Sequence, residues 1–176
     1  MKPLRTLILC FLLIPGFADS VLAQEEEVFE TFGSVKVLGD APSSLNLGLG
    51  VFDMFDDDDA VAGQIEWRFG DKLGFAGPLA GVVANADGGV FGYVGLYADL
   101  AVGRFVISPQ TGFGAYERGG SNDLGGVFEF YSALTVGCKL EDRSQLGIRF
   151  GHISNGDLQK KNPGTDLLLL QYRIPF

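Results

Sequence analysis

The sequence predicts an all-β fold: an eight-stranded antiparallel transmembrane β-barrel behind an N-terminal signal peptide. Three observations carry this prediction. Eight segments of strand length follow one another with turn signals between them. Within each segment residues alternate with a period of two, apolar side chains on one face and charges of both signs on the other. The composition combines 47% hydrophobic residues with 26 glycines and 15 phenylalanines. Yet past the N-terminal region no stretch approaches the roughly 18 apolar residues of a spanning helix.

Taken in order, Lys2 and Arg5 precede an apolar run from Leu7 to Phe17, and Val21-Leu22-Ala23 ends in small residues suited to cleavage after Ala23. Pro15-Gly16 interrupts the run, and Leu9 before Cys10 is too bulky for a lipoprotein processing site. Residues 1–23 therefore read as a secretory signal, 24–44 as a periplasmic extension or rim strand, and 45–176 as the barrel. The strand segments are Leu45–Phe55, Val61–Phe69, Pro78–Ala86, Val90–Leu100, Arg104–Arg118, Gly126–Leu140, Ser144–Ser154 and Asp166–Phe176. Turns are read at Asp56–Asp59, Asp71-Lys72, Asp87-Gly88-Gly89, Gly119–Asp123, Glu141–Arg143 and Asn162-Pro163-Gly164. Val28–Leu38 is a ninth strand-like stretch, assigned to the extension because bacterial single-chain barrels usually have even strand numbers. Pro109 predicts a bulge or a strand break.

The phase of the alternation separates barrel types. Ile65, Trp67 and Phe69 oppose Gln64, Glu66 and Arg68, and Phe128, Phe130, Leu134 and Val136 oppose Glu129, Tyr131, Thr135 and Lys139. On the last strand Leu168, Leu170, Tyr172, Ile174 and the terminal Phe176 oppose Gln171 and Arg173. A soluble ligand-binding barrel buries its apolar face inside. Here the charged face, with Glu66, Arg68, Glu129, Lys139, Arg149 and Arg173, is expected in the lumen and the apolar face in lipid, because an unpaired Lys or Arg at the bilayer midplane costs about 2–4 kcal/mol. Eight strands leave room only for side chains, so no pore is expected. Tyr172, Ile174 and Phe176 also resemble the C-terminal assembly signal of many bacterial outer-membrane barrels.

Composition narrows the function. Loss of Lys2, Arg5 and Asp19 with the signal takes the formal charge from −9 to about −10, and the chain has no basic cluster, which argues against nucleic-acid binding. Cys138 alone survives cleavage, so neither an intrachain disulfide nor a cysteine-based metal site is expected.

The chemistry is concentrated near the C-terminus. His152, the one histidine, shares the parity of Leu146, Ile148, Phe150 and Ser154 and so points to lipid with a hydroxyl two residues away, about 6.6 Å along the strand. With both termini periplasmic, this strand runs outward and the next begins at Asp166, which has the same outward parity. A lone His-x-Ser says little. A base, a hydroxyl and a carboxylate converging on the greasy side of a barrel near its extracellular rim point to ester cleavage: His152 takes the Ser154 proton, and Asp166 fixes the imidazole. Asn162 and the backbone amides of Asn155–Asp157 are candidate oxyanion donors. Asp53, with the parity of Val51 and Phe55, is expected to face outward at the rim. Asp56–Asp59 reads as a solvated extracellular turn, with a divalent-cation bridge to lipid phosphates as the alternative. Trp67, Tyr93, Tyr97 and Tyr172 read as interfacial or packing residues.

His152-x-Ser154-Asn155, an Asn ten residues after the histidine and an acid fourteen after it together resemble the PagL-type lipid A 3-O-deacylases, eight-stranded outer-membrane barrels that hydrolyse the ester-linked acyl chain at the 3-position of lipid A. The motif covers about 25 residues. The resemblance implies His152 as general base, Ser154 as nucleophile, Asp166 as orienting acid and Asn162 as oxyanion donor, with Asn155 and Gly156 supporting the site. It implies lipid A or lipopolysaccharide as substrate, an outer-membrane location, and no metal or organic cofactor; a homodimer is compatible with it. This chain departs from the family pattern in carrying Asp166 where well-known members have Glu, and in placing Gly156 one position before the expected glycine, with Asp157 in its stead. A non-enzymatic envelope-stabilising barrel and an acyltransferase on a similar barrel stay open at this point.

Overall fold

The computed structural model describes residues 26–55 and 59–176. The signal-peptide prediction and Asp56–Asp58 lie outside those residues. Eleven strands are seen: β1 (Val28–Phe32), β2 (Val35–Leu38), β3 (Ser44–Phe52), β4 (Ala60–Arg68), β5 (Gly77–Asn85), β6 (Val90–Tyr97), β7 (Asp99–Val102), β8 (Phe105–Glu117), β9 (Phe128–Lys139), β10 (Gln145–Ser154) and β11 (Thr165–Pro175). All pairings are antiparallel, and the ring β3-β4-β5-β6-β8-β9-β10-β11 closes where β11 pairs with β3. The eight expected segments form this ring, most ending within two residues of their predicted limits.

Strand β7 continues β6. Tyr97 pairs with Gln110 and Leu100 with Ile107 in one unshifted register, and the interruption falls at Ala98, whose amide donates to the Pro109 carbonyl. Proline has no N–H to return. The expected bulge at Pro109 is therefore absent; β8 runs straight through it, and the irregularity appears in the strand opposite. Val28–Leu38 is not one strand but a hairpin turning at Gly33-Ser34, with Gly33 at φ 61°. Its second strand pairs with β7, beyond the point where β5 ends, and so covers an edge that would otherwise be open.

The alternation sorts side chains as its phase predicts. Leu49, Val61, Ile65, Phe113, Ile148 and Leu170 are exposed on the outer wall. Gln64, Glu66, Arg68, Arg149 and Gln171 are buried inside. Glu66 organises the lumen. It accepts from both terminal nitrogens of Arg149 at 2.9 Å, and from Arg68, Asn46, Tyr93 and Gln110 at 2.7–3.0 Å. Below it Asp99 pairs with Arg68 and Arg173, and Lys72 closes the end of the barrel that carries the C-terminus by donating to the Leu38 carbonyl. Burial draws the Lys72 ammonium below the usual lysine range, against the pull of Asp99. Tyr93 and Tyr97 are inside, packed among these charges, whereas Trp67 stacks edge-on against Phe176 on the outer rim of that same end. Lys139 is only half-buried, at that same mouth, and pairs with Glu26. The buried carboxylate of Glu129 has no hydrogen-bond partner among the described residues.

Removing one member of a buried ion network leaves the others uncompensated, at a cost of about 3–5 kcal/mol. Glu66→Ala, which leaves Arg149 without a carboxylate and Arg68 with Asp99 alone, is expected to destabilise the barrel by that amount. The check is the urea midpoint of heat-modifiable gel migration, in detergent, against the parent protein.

Candidate active site

Residues 53–55 and the loops 86–89, 118–127 and 155–164 share one end of the barrel, the extracellular end when the termini are periplasmic. The predicted residues His152, Ser154 and Asp166 lie on the outer wall just below it. Strand register makes His152 and Asp166 direct cross-strand neighbours. The imidazole Nδ1 lies 2.8 Å from Asp166 Oδ1, with side-chain exposures of 47% and 29%, so the pair is open to the membrane side. Because the two residues face each other across the ladder, aspartate spans the gap without the extra methylene of a glutamate.

The other edge of the ring is located by Gly164. This glycine stands at the register position opposite Ser154, with φ 70°, and a Cβ there would meet His152 Cε1 at 3.0 Å and Nε2 at 3.4 Å. The Nε2 edge thus leans up toward the level of Ser154. Among the described residues no hydrogen bond joins the Ser154 hydroxyl to the ring; such contacts tighten when substrate is bound. Gly164→Ala would force both a left-handed backbone on a residue with Cβ and a displaced imidazole. The expected result is a fall in kcat of about tenfold or more with little change in KM, read from deacylation kinetics on folded protein.

Asn162, Asn155 and Gly156 are placed by the connection between β10 and β11. Asn155–Leu158 forms a tight turn, closed by Leu158 N–H donating to the Asn155 carbonyl, with Gly156 and Asp157 both at left-handed φ of 62° and 63°. That pattern is the one asparagine-glycine turns adopt. Gly156 packs on the ring of Phe130, close enough that a Cβ would touch it at 3.2 Å. Asn155 turns inward and is fully buried; its Nδ2 donates to the carbonyls of Leu124 and Lys161, tying the loop 155–164 to the loop 118–127. The Asn155 amide is also engaged, by Asn162 Oδ1 at 3.0 Å, while Asn162 Nδ2 gives one hydrogen to Asp157. The Asn155 backbone amide, one of the expected oxyanion donors, is therefore occupied within the loop. Those of Gly156 and Asp157 have no partner among the described residues.

Asp53 corrects an expectation. It adopts φ 65° at the end of β3, which reverses its parity and buries it, 2% exposed, inside the rim. Its carboxylate accepts from Thr165 at 2.9 Å and from Asn122, and its amide donates to the Asp166 carbonyl at 2.8 Å. It is a clamp on the backbone of Asp166, joining two loops to the start of β11. A cavity of about 330 Å³ lined by Glu26, Lys139, Arg143 and Arg173 lies at the opposite mouth, near Gln145 at the start of β10. That is seven residues from His152, roughly 23 Å at about 3.3 Å per residue, and it takes no part in this site.

Against known proteins, the family described as lipid A 3-O-deacylase (PagL) matches residues 53–175. The lipid A deacylase PagL of Bordetella bronchiseptica is 31% identical over 80 residues, which span 46% of this chain and 41% of that relative, less than half its length. The crystal structure of the outer membrane enzyme PagL aligns with a TM-score of 0.59 at 18% identity, covering 76% of this chain and 99% of that one. A de novo designed transmembrane β-barrel aligns with a TM-score of 0.54 at 11% identity, over 77% and 97%. The structural likenesses establish the barrel; the family match, which takes in more than half of the sequence and the whole His152–Asp166 region, establishes that this chain belongs to the lipid A 3-O-deacylase (PagL) family of bacterial outer-membrane barrels.

Proposed function

We propose that the protein is a serine esterase of the outer leaflet that hydrolyses the 3-O-linked acyl chain of lipid A through His152, Ser154 and Asp166. The observation that carries this reading is the imidazole–carboxylate pair on a wall dominated by apolar side chains, with a hydroxyl on the same face and the Nε2 edge close to Gly164, the residue across from Ser154. A structural barrel has no use for a polar pair facing lipid, where it would be costly.

On this reading the steps are as follows. Ser154 Oγ adds to the ester carbonyl carbon while its proton passes to His152 Nε2; Asp166 holds the Nδ1–H and stabilises the imidazolium. The oxyanion is received by the free amides of Gly156 and Asp157 and by the second hydrogen of Asn162 Nδ2. Collapse breaks the ester C–O bond, and the imidazolium returns the proton to the departing sugar oxygen. Water, deprotonated by the same imidazole, then releases the fatty acid from Ser154. Phe130, directly across from Ser154, and Phe150, one position below His152 on its face, line the site with aromatic surface for the acyl chain.

Mass spectrometry of lipid A from cells with and without the protein tests the reading. Loss of one ester-linked chain from the 3-position, with the matching free fatty acid, is expected. An unchanged acyl pattern in cells that display the folded barrel would favour the envelope-stabilising role, and a gained chain an acyltransferase.

A further inference from the structure

Four buried side-chain oxygens lack a hydrogen-bond partner among the described residues, and three of them belong to two residues at facing positions: both carboxyl oxygens of Glu129 and Oδ1 of Asn155. The β9–β10 ladder runs up to Phe130 opposite Ser154, so one step further Glu129 stands across from Asn155, and both are buried on the inner side. The orientation of the Asn155 amide is fixed, because its Nδ2 gives its two hydrogens to the Leu124 and Lys161 carbonyls. Its Oδ1 can therefore only accept, and an ionised Glu129 can only accept as well. Acceptors face acceptors with no hydrogen between them.

No neighbouring group relieves this. Arg149, on the adjoining strand, stands across from Thr135, six residues or roughly 20 Å down β9, and is held there by Glu66. On the inner face Glu129 is flanked by Tyr131 and Ile153, with Tyr116 diagonal to it on β8. The Tyr116 hydroxyl donates to the Asn122 carbonyl, and Asp53, the other buried carboxylate at this end, accepts from Asn122 and Thr165. A calcium ion takes about six to eight oxygens, whereas this pair offers three. A buried carboxyl group without a counter-ion is neutralised by holding a proton, and one proton is the single hydrogen the arrangement needs. We propose that Glu129 is a positioning residue that carries a proton and donates it in a hydrogen bond to Asn155 Oδ1, fixing from inside the barrel the loop whose Gly156 and Asp157 amides receive the oxyanion. This rests on the reading of those amides as oxyanion donors; Glu129 itself touches no substrate and acts through Asn155.

The test compares the full chain in detergent micelles at neutral pH with Glu129→Gln and Glu129→Leu, by infrared spectroscopy and by deacylation kinetics. The parent-minus-E129Q difference spectrum should contain the carbonyl stretch of a protonated carboxyl group, and Asn155→Ala, which removes the acceptor, should move that band to higher frequency. E129Q keeps a neutral donor of the same shape and should retain most of the parent kcat. E129L fills the space but cannot donate, and should lose about tenfold or more in kcat with KM nearly unchanged. Both should keep heat-modifiable migration. A buried carboxyl group without a task predicts the opposite for leucine, a barrel at least as stable as the parent with parent turnover. An ionised-carboxylate band in place of the protonated one, a band unmoved in Asn155→Ala, or folded E129L at the parent kcat overturns the proposal. Should E129L not fold, the band and its shift decide. If Ser154→Ala stays active while the band is present and moves with Asn155, the nucleophile reading alone falls.

Discussion

Ser154→Ala is expected to abolish release of the 3-O-acyl chain, with kcat falling by about four to six orders of magnitude. The size of the effect follows from the loss of a covalent route: without Oγ there is no acyl-enzyme, and the imidazole is left to activate water in a wall built to exclude it. Ser154 is only half-buried and bonds to no described partner, so its hydroxyl contributes little to folding, within about 0.5 kcal/mol. Quantifying the freed fatty acid from purified protein, alongside heat-modifiable migration, separates lost chemistry from lost structure. Hydrolysis at the parent rate by a folded variant would remove Ser154 from the mechanism.

Asp166→Asn should slow the reaction by about 10⁴ in kcat with KM nearly unchanged. The 2.8 Å contact to Nδ1 is the interaction that selects the tautomer with a free Nε2, and an amide oriented to donate to Nδ1 would select the wrong one. The backbone of Asp166 does not depend on its carboxylate, because its carbonyl is held by the amides of Asp53 and Met54. The strand should therefore stay in place, and the defect should be one of proton handling. Single-turnover measurements of acylation read that directly; a rate close to the parent's would mean that Asp166 does not orient the ring.

Most of this architecture was legible in the alternation of residues. Phase alone distinguished lumen from lipid, because a charge such as Arg149 has no tolerable position outside and finds Glu66 within. It also put His152, Ser154 and Asp166 on one face. What parity does not encode is register: nothing in the chain says which residue of β9 stands across from His152. Nor does parity carry past the left-handed residue at Asp53. At Asp53 a single positive φ inverted the outward expectation, and the signal for it, an aspartate at a strand end before a turn, is shared by many residues that do not flip. The N-terminal hairpin escaped for a related reason, since its partner is the short run of β7 past Ala98, an edge created by the length of β5.

The lumen, filled by the Glu66 network, is closed to lipids, so everything that reaches the imidazole arrives sideways. For the proposed deacylation, encounter is then two-dimensional, and the quantity that governs turnover is the mole fraction of ester in the surrounding leaflet or micelle, not its molarity in the buffer. Diluting substrate with inert detergent at constant bulk concentration should slow the enzyme, and a competitive inhibitor should gain potency in step with its partition into the membrane.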